Sequence, residues 1–161
     1  FFLFRFFFTF IIYYIIYMSK KRLKSDLRDL IKNKIDGISA TPINDLFHWD
    51  GIIIGPPDSI YEGGIFKLKM TFTNEYPNIP PKVIFVTKLF HPNIYGDGSI
   101  CLDILKKNWS PIYSVNSILL SIQSLLLTPN PQSPANIEAA KLFINNRRQY
   151  NSIVKTLINN I

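Results

Sequence analysis

The stretch 91-HPNIYGDGSICLDIL-105 gathers residue types that can do covalent chemistry. It holds the chain's only cysteine, Cys101, and one of its two histidines, His91. A lone cysteine is most often a small hydrophobe inside a regular element. Here Pro92, Asn93, Gly96, Asp97, Gly98 and Ser99 lie upstream of it, and these residue types favour a long irregular excursion. Such a connection inside a compact domain is usually functional. Leu102, Ile104 and Leu105 can anchor its end in the core and leave the thiol at the surface. An accessible thiol on a supported loop suits nucleophilic catalysis. His91 suggests a Cys–His protease pair, although the proline after it suits a structural hydrogen bond and no protease signature surrounds the cysteine. Asn93, eight residues before Cys101, offers an amide that can donate to an oxyanion on an acyl group carried by sulfur, or can simply cap the turn.

Composition narrows the classes. One cysteine permits no internal disulfide and no multi-cysteine zinc site, and it favours a reducing compartment. Two histidines in all make a dedicated metal site improbable. The formal charge of +7 allows nucleic-acid binding in principle. The basic residues are dispersed, however, with Lys20, Lys21, Arg22 and Lys24 in one helix pattern and Arg147 and Arg148 in another. They read as solvated helix faces, with no direct nucleic-acid contact expected.

Around the cysteine loop, the chain supplies the elements of one α+β domain over residues 18–161. SKKRLKSDLRDLIKNKI puts Leu23, Leu27, Leu30, Ile31 and Ile35 at helical spacing, which predicts an amphipathic helix of about four turns from Ser19, ended by DGISATP. LFHWDGIIIG, the alternating GIFKLKMTF and KVIFVT predict antiparallel strands, with GPPDSIYEGG as a turn. YPNIPP (76–81) is excluded from helix or central strand, and its prolines can hold either isomer. SVNSILLSIQSLLLT reads as a largely buried helix, and ANIEAAKLFI and RRQYNSIVKTLINNI as two more.

Residues 1–17, FFLFRFFFTFIIYYIIY, differ in composition from everything after them. As a helix they would reach about 26 Å, slightly short of a bilayer core of about 30 Å. The expectation is an extension upstream of a native start at Met18. A membrane anchor, which would make the protein membrane-tethered, and a segment packed on the domain are the alternatives.

HPNIYGDGSICLDIL followed by WSP resembles the active-site segment of ubiquitin-conjugating enzymes. The resemblance extends from about Met18 to the C-terminus through FHW, GPPDSIYEGGIF, the YP..PP run and PNPQSPAN. The cysteine loop, SILLSIQSLL and PNPQSPAN are most similar to the branch acting in DNA-damage tolerance and histone monoubiquitination, with the general multi-substrate branch second. This implies a ubiquitin-conjugating-enzyme-like fold: an N-terminal helix, a four-stranded antiparallel meander, a long active-site loop and C-terminal helices.

By the same resemblance, Cys101 matches the residue that accepts ubiquitin as a thioester. Asn93 matches the HPN asparagine that stabilises the oxyanion or holds the loop, and His91 the structural HPN histidine. Asp103 matches an acidic residue at the rim of the site. Arg22, Asn78, Pro111 and Ile112 match the ligase-binding surface. Ser39 matches a position used by some members for non-covalent ubiquitin binding. The implied partners are ubiquitin or a related modifier, the ubiquitin-activating enzyme that consumes the ATP, a RING-type ligase and substrate lysines, and because the thioester arrives already activated the resemblance implies no cofactor. The implied locations are cytoplasm and nucleus. A relative that keeps the fold but lacks catalysis would lack the cysteine.

Ser133 stands where many members have an acid in the loop after PNP, as it does in the damage-tolerance branch. The difference bears on rate. A free lysine of pKa about 10.4 is uncharged in about one part in 2,500 at pH 7, a deficit of roughly 4.6 kcal/mol. A carboxylate can orient that amine and accept its proton better than a hydroxyl can. Slow intrinsic discharge is therefore expected, quickened when a ligase clamps the bound ubiquitin or when Ser133 is phosphorylated.

Overall fold

A computed structural model describes the backbone of residues 2–160; the side chains of residues 2–6 and 8 lie outside the described set. Helix α1 (Phe2–Lys32) leads into four strands, β1 (Ile38–Pro42), β2 (His48–Ile54), β3 (Ile65–Thr71) and β4 (Lys82–Phe85). A long irregular segment follows, with one 3-10 turn at Asp103–Leu105, and then α2 (Val115–Leu127), α3 (Ile137–Asn145) and α4 (Arg147–Asn159). The strands form one antiparallel meander in the order β1-β2-β3-β4.

Alternation decides which face of the sheet is covered. Trp49, Ile53, Phe66, Leu68, Met70, Val83 and Phe85 point inward and are buried. They share a core with Val115, Ile118, Leu119, Ile122, Leu125 and Leu126 of α2. Helix α2 is fixed at its start by a capping box between Ser114 and Ser117. Near its other end, the Gln123 amide donates to the carbonyls of Gly37 and Ile54. Asn146 caps two helices, its backbone N–H closing α3 and its side chain accepting from the Gln149 N–H at the head of α4.

Three expectations are corrected. The helix expected from Ser19 begins at Phe2, since neither proline nor glycine interrupts residues 2–32. Packing still begins near Ser19: Phe7, Phe10, Tyr13, Tyr14 and Tyr17 are exposed, whereas Ser19 and Leu23 are buried. Among the described residues, no helix is long and apolar enough to cross a membrane. Ile31 is not on the core face; one residue past Leu30 it is turned about 100° away and is exposed. Ile35 lies past the helix and packs on the core from the turn. Finally, part of the DGISATP break is β1, an edge strand paired with β2 from Ile38↔Ile53 to Pro42↔Trp49. Its proline takes the last position of an edge strand, where a missing N–H is tolerated.

The cysteine loop is built against β4. Residues 93–101 form a small hairpin: Ile94 bridges Ile100, the Tyr95 N–H donates to the Ser99 carbonyl, and the Cys101 N–H donates to the Asn93 carbonyl at 2.8 Å. Ser99 bridges Ile84, and the Phe85 N–H donates to the Gly98 carbonyl. Gly98 has φ +85, and a Cβ there would lie 2.1 Å from the Phe85 carbonyl oxygen. Gly96 faces open space. Gly98→Ala is therefore expected to cost roughly 2–4 kcal/mol through strain and collision. Gly96→Ala is expected to lie between neutral and about 1 kcal/mol stabilising. Urea unfolding of both variants checks this; equal midpoints would refute it.

Candidate active site

The hairpin register explains the spacing of eight between Asn93 and Cys101. The two residues face each other across its open end, one pair outside Ile94–Ile100. Cys101 is half-buried, with a free thiol. Leu102 and Leu105 pack on the core beneath it, and Ile104 is half-buried beside them. The Lys106 ammonium stands 3.7 Å from the sulfur. Asp103 is exposed at the start of the 3-10 turn and forms an ion pair with Lys107 at 3.3 Å.

His91 is fully buried. Its Nδ1 accepts from the Asn93 N–H at 2.9 Å, which leaves Nε2 to donate to the Leu125 carbonyl at 3.0 Å. Both ring nitrogens are committed, so the ring has no free nitrogen to take a proton from Cys101. Burial holds its pKa down to about 4, against a partial rise from the Leu125 hydrogen bond. The ring is a neutral strut between the cysteine loop and the end of α2.

Asn93 is buried, and its side chain reaches away from the hairpin. Nδ2 donates to the Asn130 carbonyl at 2.7 Å and to the Ser133 carbonyl at 3.3 Å, while Oδ1 accepts from the Asn130 N–H at 2.7 Å. The Pro92 carbonyl accepts from both Ala135 and Asn136. Together these five bonds hold the PNPQSPAN loop beside the cysteine hairpin. Ser133 is exposed on that loop.

Asn78, Pro111 and Ile112 are exposed on a second face, Ile112 at 82%. Arg22 lies beneath them. Its guanidinium donates to Asp26 and to the carbonyls of Pro111 and Tyr113. The Trp109 indole N–H donates to the Pro77 carbonyl, which ties the YPN loop to the WSP segment. The Tyr76–Pro77 peptide is cis. Ser39 is exposed on the outer face of β1, opposite Ile52.

Two supporting groups went unnoticed in the sequence. Asp26 is buried between Arg22 and the Tyr76 hydroxyl; its position three residues past Leu23 and four before Leu30 puts it on the core face, a readable signal. The Tyr61 hydroxyl donates to the Phe90 carbonyl and accepts from Tyr150, joining the β2–β3 turn and α4 to the residue before His91. Nothing local in the sequence marks that pair.

The buried imidazole gives stability a pH dependence. The unfolded chain takes up the His91 proton near pH 6.5, whereas the folded chain resists protonation to about pH 4. Between these values the unfolded state binds more protons, so stability falls as pH drops. His91 alone is expected to remove about 3 kcal/mol between pH 7 and 4. Denaturant unfolding across that range should show the slope, and His91→Gln should lack this share of it. An unchanged slope in the variant would count against the assignment.

A family model described as ubiquitin-conjugating enzyme matches residues 22–158. Over 141 residues, 87% of the chain, it is 55% identical to a relative from Arabidopsis thaliana named ubiquitin-conjugating enzyme E2 3, covering 94% of that protein. It is 51% identical over 141 residues to ubiquitin-conjugating enzyme E2 1 of Caenorhabditis elegans, covering 73% of it. The chain belongs to the ubiquitin-conjugating enzyme family.

Proposed function

We propose that Cys101 is the acyl carrier. It receives the C-terminal glycine of ubiquitin as a thioester from the activating enzyme and yields it to a substrate lysine. The observation that carries this reading is a free, half-buried thiol at the end of a hairpin braced by β4 on one side and by the PNPQSPAN loop, through Asn93, on the other. A thioester is already activated, so the enzyme's task is to orient two reactants. No step needs a cofactor, and the ATP is consumed upstream.

Asn93 acts first through the loop it holds. Both of its amide hydrogens are committed, so donating to an oxyanion at Cys101 means releasing one, and the longer contact, to Ser133, is the weaker. Asp103 contributes negative charge at the rim, and Ser133 contributes a hydroxyl at the lysine's approach. Asn78, Pro111 and Ile112 are the surface offered to a RING-type ligase, with Arg22 bracing it from below. Ser39, beside the exposed Ile52 and Ile54, belongs to a separate, weaker ubiquitin contact. The finer assignment is to the branch acting in DNA-damage tolerance and histone monoubiquitination, with action in cytoplasm and nucleus. Its support is the loop sequence HPNIYGDGSICLDIL and the serine at 133.

Incubation with activating enzyme, ubiquitin and ATP is expected to give a reductant-sensitive adduct, lost in Cys101→Ala. Substituting related modifiers for ubiquitin identifies the cargo. An adduct that survives Cys101→Ala overturns the assignment. Discharge of the wild-type thioester to free lysine is expected to be slow, and Ser133→Asp to quicken it by about tenfold, less than the roughly hundredfold or more that a fully positioned general base contributes. If the Asp variant discharges no faster, Ser133 is not at the lysine's approach.

A further inference from the structure

Helix α1 is continuous, yet it packs on the domain only from about Ser19 onward. Before that point Phe7, residues 10–15 and Tyr17 are exposed, with Phe7, Phe10 and Tyr13 at 66%, 68% and 70%. At about 100° per residue, Phe10, Tyr13, Tyr14 and Tyr17 form one side of the helix, and Ile11, Ile12 and Ile15 form the other. No side of residues 10–17 is charged. A helix that is apolar all round is stable where apolar material surrounds it. The aromatic side continues past Tyr17: three, four and seven residues on it becomes Lys20, Lys21 and Lys24, all exposed. Among the described residues none of these three lysines forms an ion pair; the Lys20 ammonium stands 6.0 Å from the Phe47 ring. Arg22, between them, is drawn inward to Asp26 and to the Pro111 and Tyr113 carbonyls.

One stripe therefore passes along the axis from phenylalanine through tyrosine to lysine. A bilayer surface has the same order of layers: acyl chains, an interface where tyrosine rings collect, then headgroups. Three cations without an internal partner give that surface a sign, because anionic headgroups attract each of them. Length sets the depth. Residues 6–19 carry no charge, and Arg5 and Lys20 bracket them. At 1.5 Å per residue that run is about 21 Å, short of a hydrocarbon core of about 30 Å. An inclined helix, submerged in one leaflet, keeps both ends of the run near the headgroups. We propose that residues 7–17 insert obliquely into one leaflet of an anionic bilayer, with Lys20, Lys21 and Lys24 on its headgroups. The helix enters the membrane without crossing it, and the catalytic domain is held at the surface. A second copy of the chain fits the stripe less well: two parallel copies joined by their aromatic sides would press like-charged lysines together. Insertion needs neither thioester nor ligase, so it stands apart from the reading of Cys101.

The experiment is flotation of the full chain with vesicles of phosphatidylcholine, either alone or mixed with phosphatidylserine. The chain is expected to float with the mixture and to bind phosphatidylcholine alone about a hundredfold more weakly, the share of three lysines at an anionic surface. Lys20→Gln, Lys21→Gln and Lys24→Gln together should reduce binding to the mixture by the same factor. Phe10→Asp with Ile15→Asp should abolish binding to both. All five positions are exposed, so each variant should keep the wild-type urea midpoint. Tyr13→Trp reports insertion directly: on the mixed vesicles its emission should shift to the blue and be quenched by lipids brominated on their acyl chains. Four outcomes overturn the proposal: a chain that stays with the soluble fraction, or forms an oligomer that vesicles leave unchanged; equal binding to neutral and anionic vesicles; undiminished binding of the Asp variant; and an unshifted Tyr13→Trp emission. Each leaves the loading of Cys101 untouched, since that assay contains no lipid.

Discussion

Asn93 ties together everything the site needs. Its backbone carbonyl receives the Cys101 N–H, and its backbone N–H is received by His91. Its side chain holds the Asn130–Ser133 loop. One residue therefore sets the position of the sulfur, of the imidazole strut and of the opposite wall. Buried donors left without partners cost about 1–3 kcal/mol each, so loosening any of these bonds disfavours the others' geometry. This is why an amide, with two donors and an acceptor on one flat head, suits the position better than a hydroxyl or a carboxylate.

A second polar knot serves the other face. Asp26 is buried between Tyr76 and Arg22, and desolvation raises its pKa despite the hydrogen bonds and the positive charge that lower it. The Tyr76 hydroxyl is likewise pushed up, by burial and by the neighbouring carboxylate. The arrangement is costly in isolation, but Arg22 extends from it to the Pro111 and Tyr113 carbonyls. Charge buried against α1 thereby becomes order in the WSPIY segment, and Trp109 extends that order to the YPN loop. The exposed Ile112 stands on rigid ground.

Much of this was legible because local physics and tertiary need coincide. Alternation in IFKLKMT fixed the inward side of β3, and the apolar stripe of SILLSIQSLLL marked α2. Turn residues around Cys101 revealed a loop, although not that it is a hairpin, since its pairing depends on β4. Other features were hidden for the same reason. ISATP has little strand character alone and becomes β1 only because β2 offers it an edge. The outward turn of Ile31 follows from where α2 and β1 meet α1, which helical spacing alone could not choose. The Tyr61–Tyr150 hydroxyl pair joins residues 89 positions apart, and no periodicity records it.

The hairpin constrains how this loop can vary in length. Side chains alternate along each arm, so a residue added between Ile100 and Cys101 turns the sulfur to the opposite side, and one added between Asn93 and Ile94 does the same to the Asn93 side chain. At the tip the rule relaxes: Gly96 meets no neighbour, while Gly98 is fixed against Phe85. Length is therefore least constrained at the Gly96–Asp97 corner, where an added residue gives up the bond from the Gly98 N–H to the Tyr95 carbonyl and the one from the Ser99 N–H to the Asp97 carboxylate but keeps both arms in register. A relative with a longer excursion can lengthen the corner and keep the thiol where it is, whereas one with a displaced arm must hold it by other means.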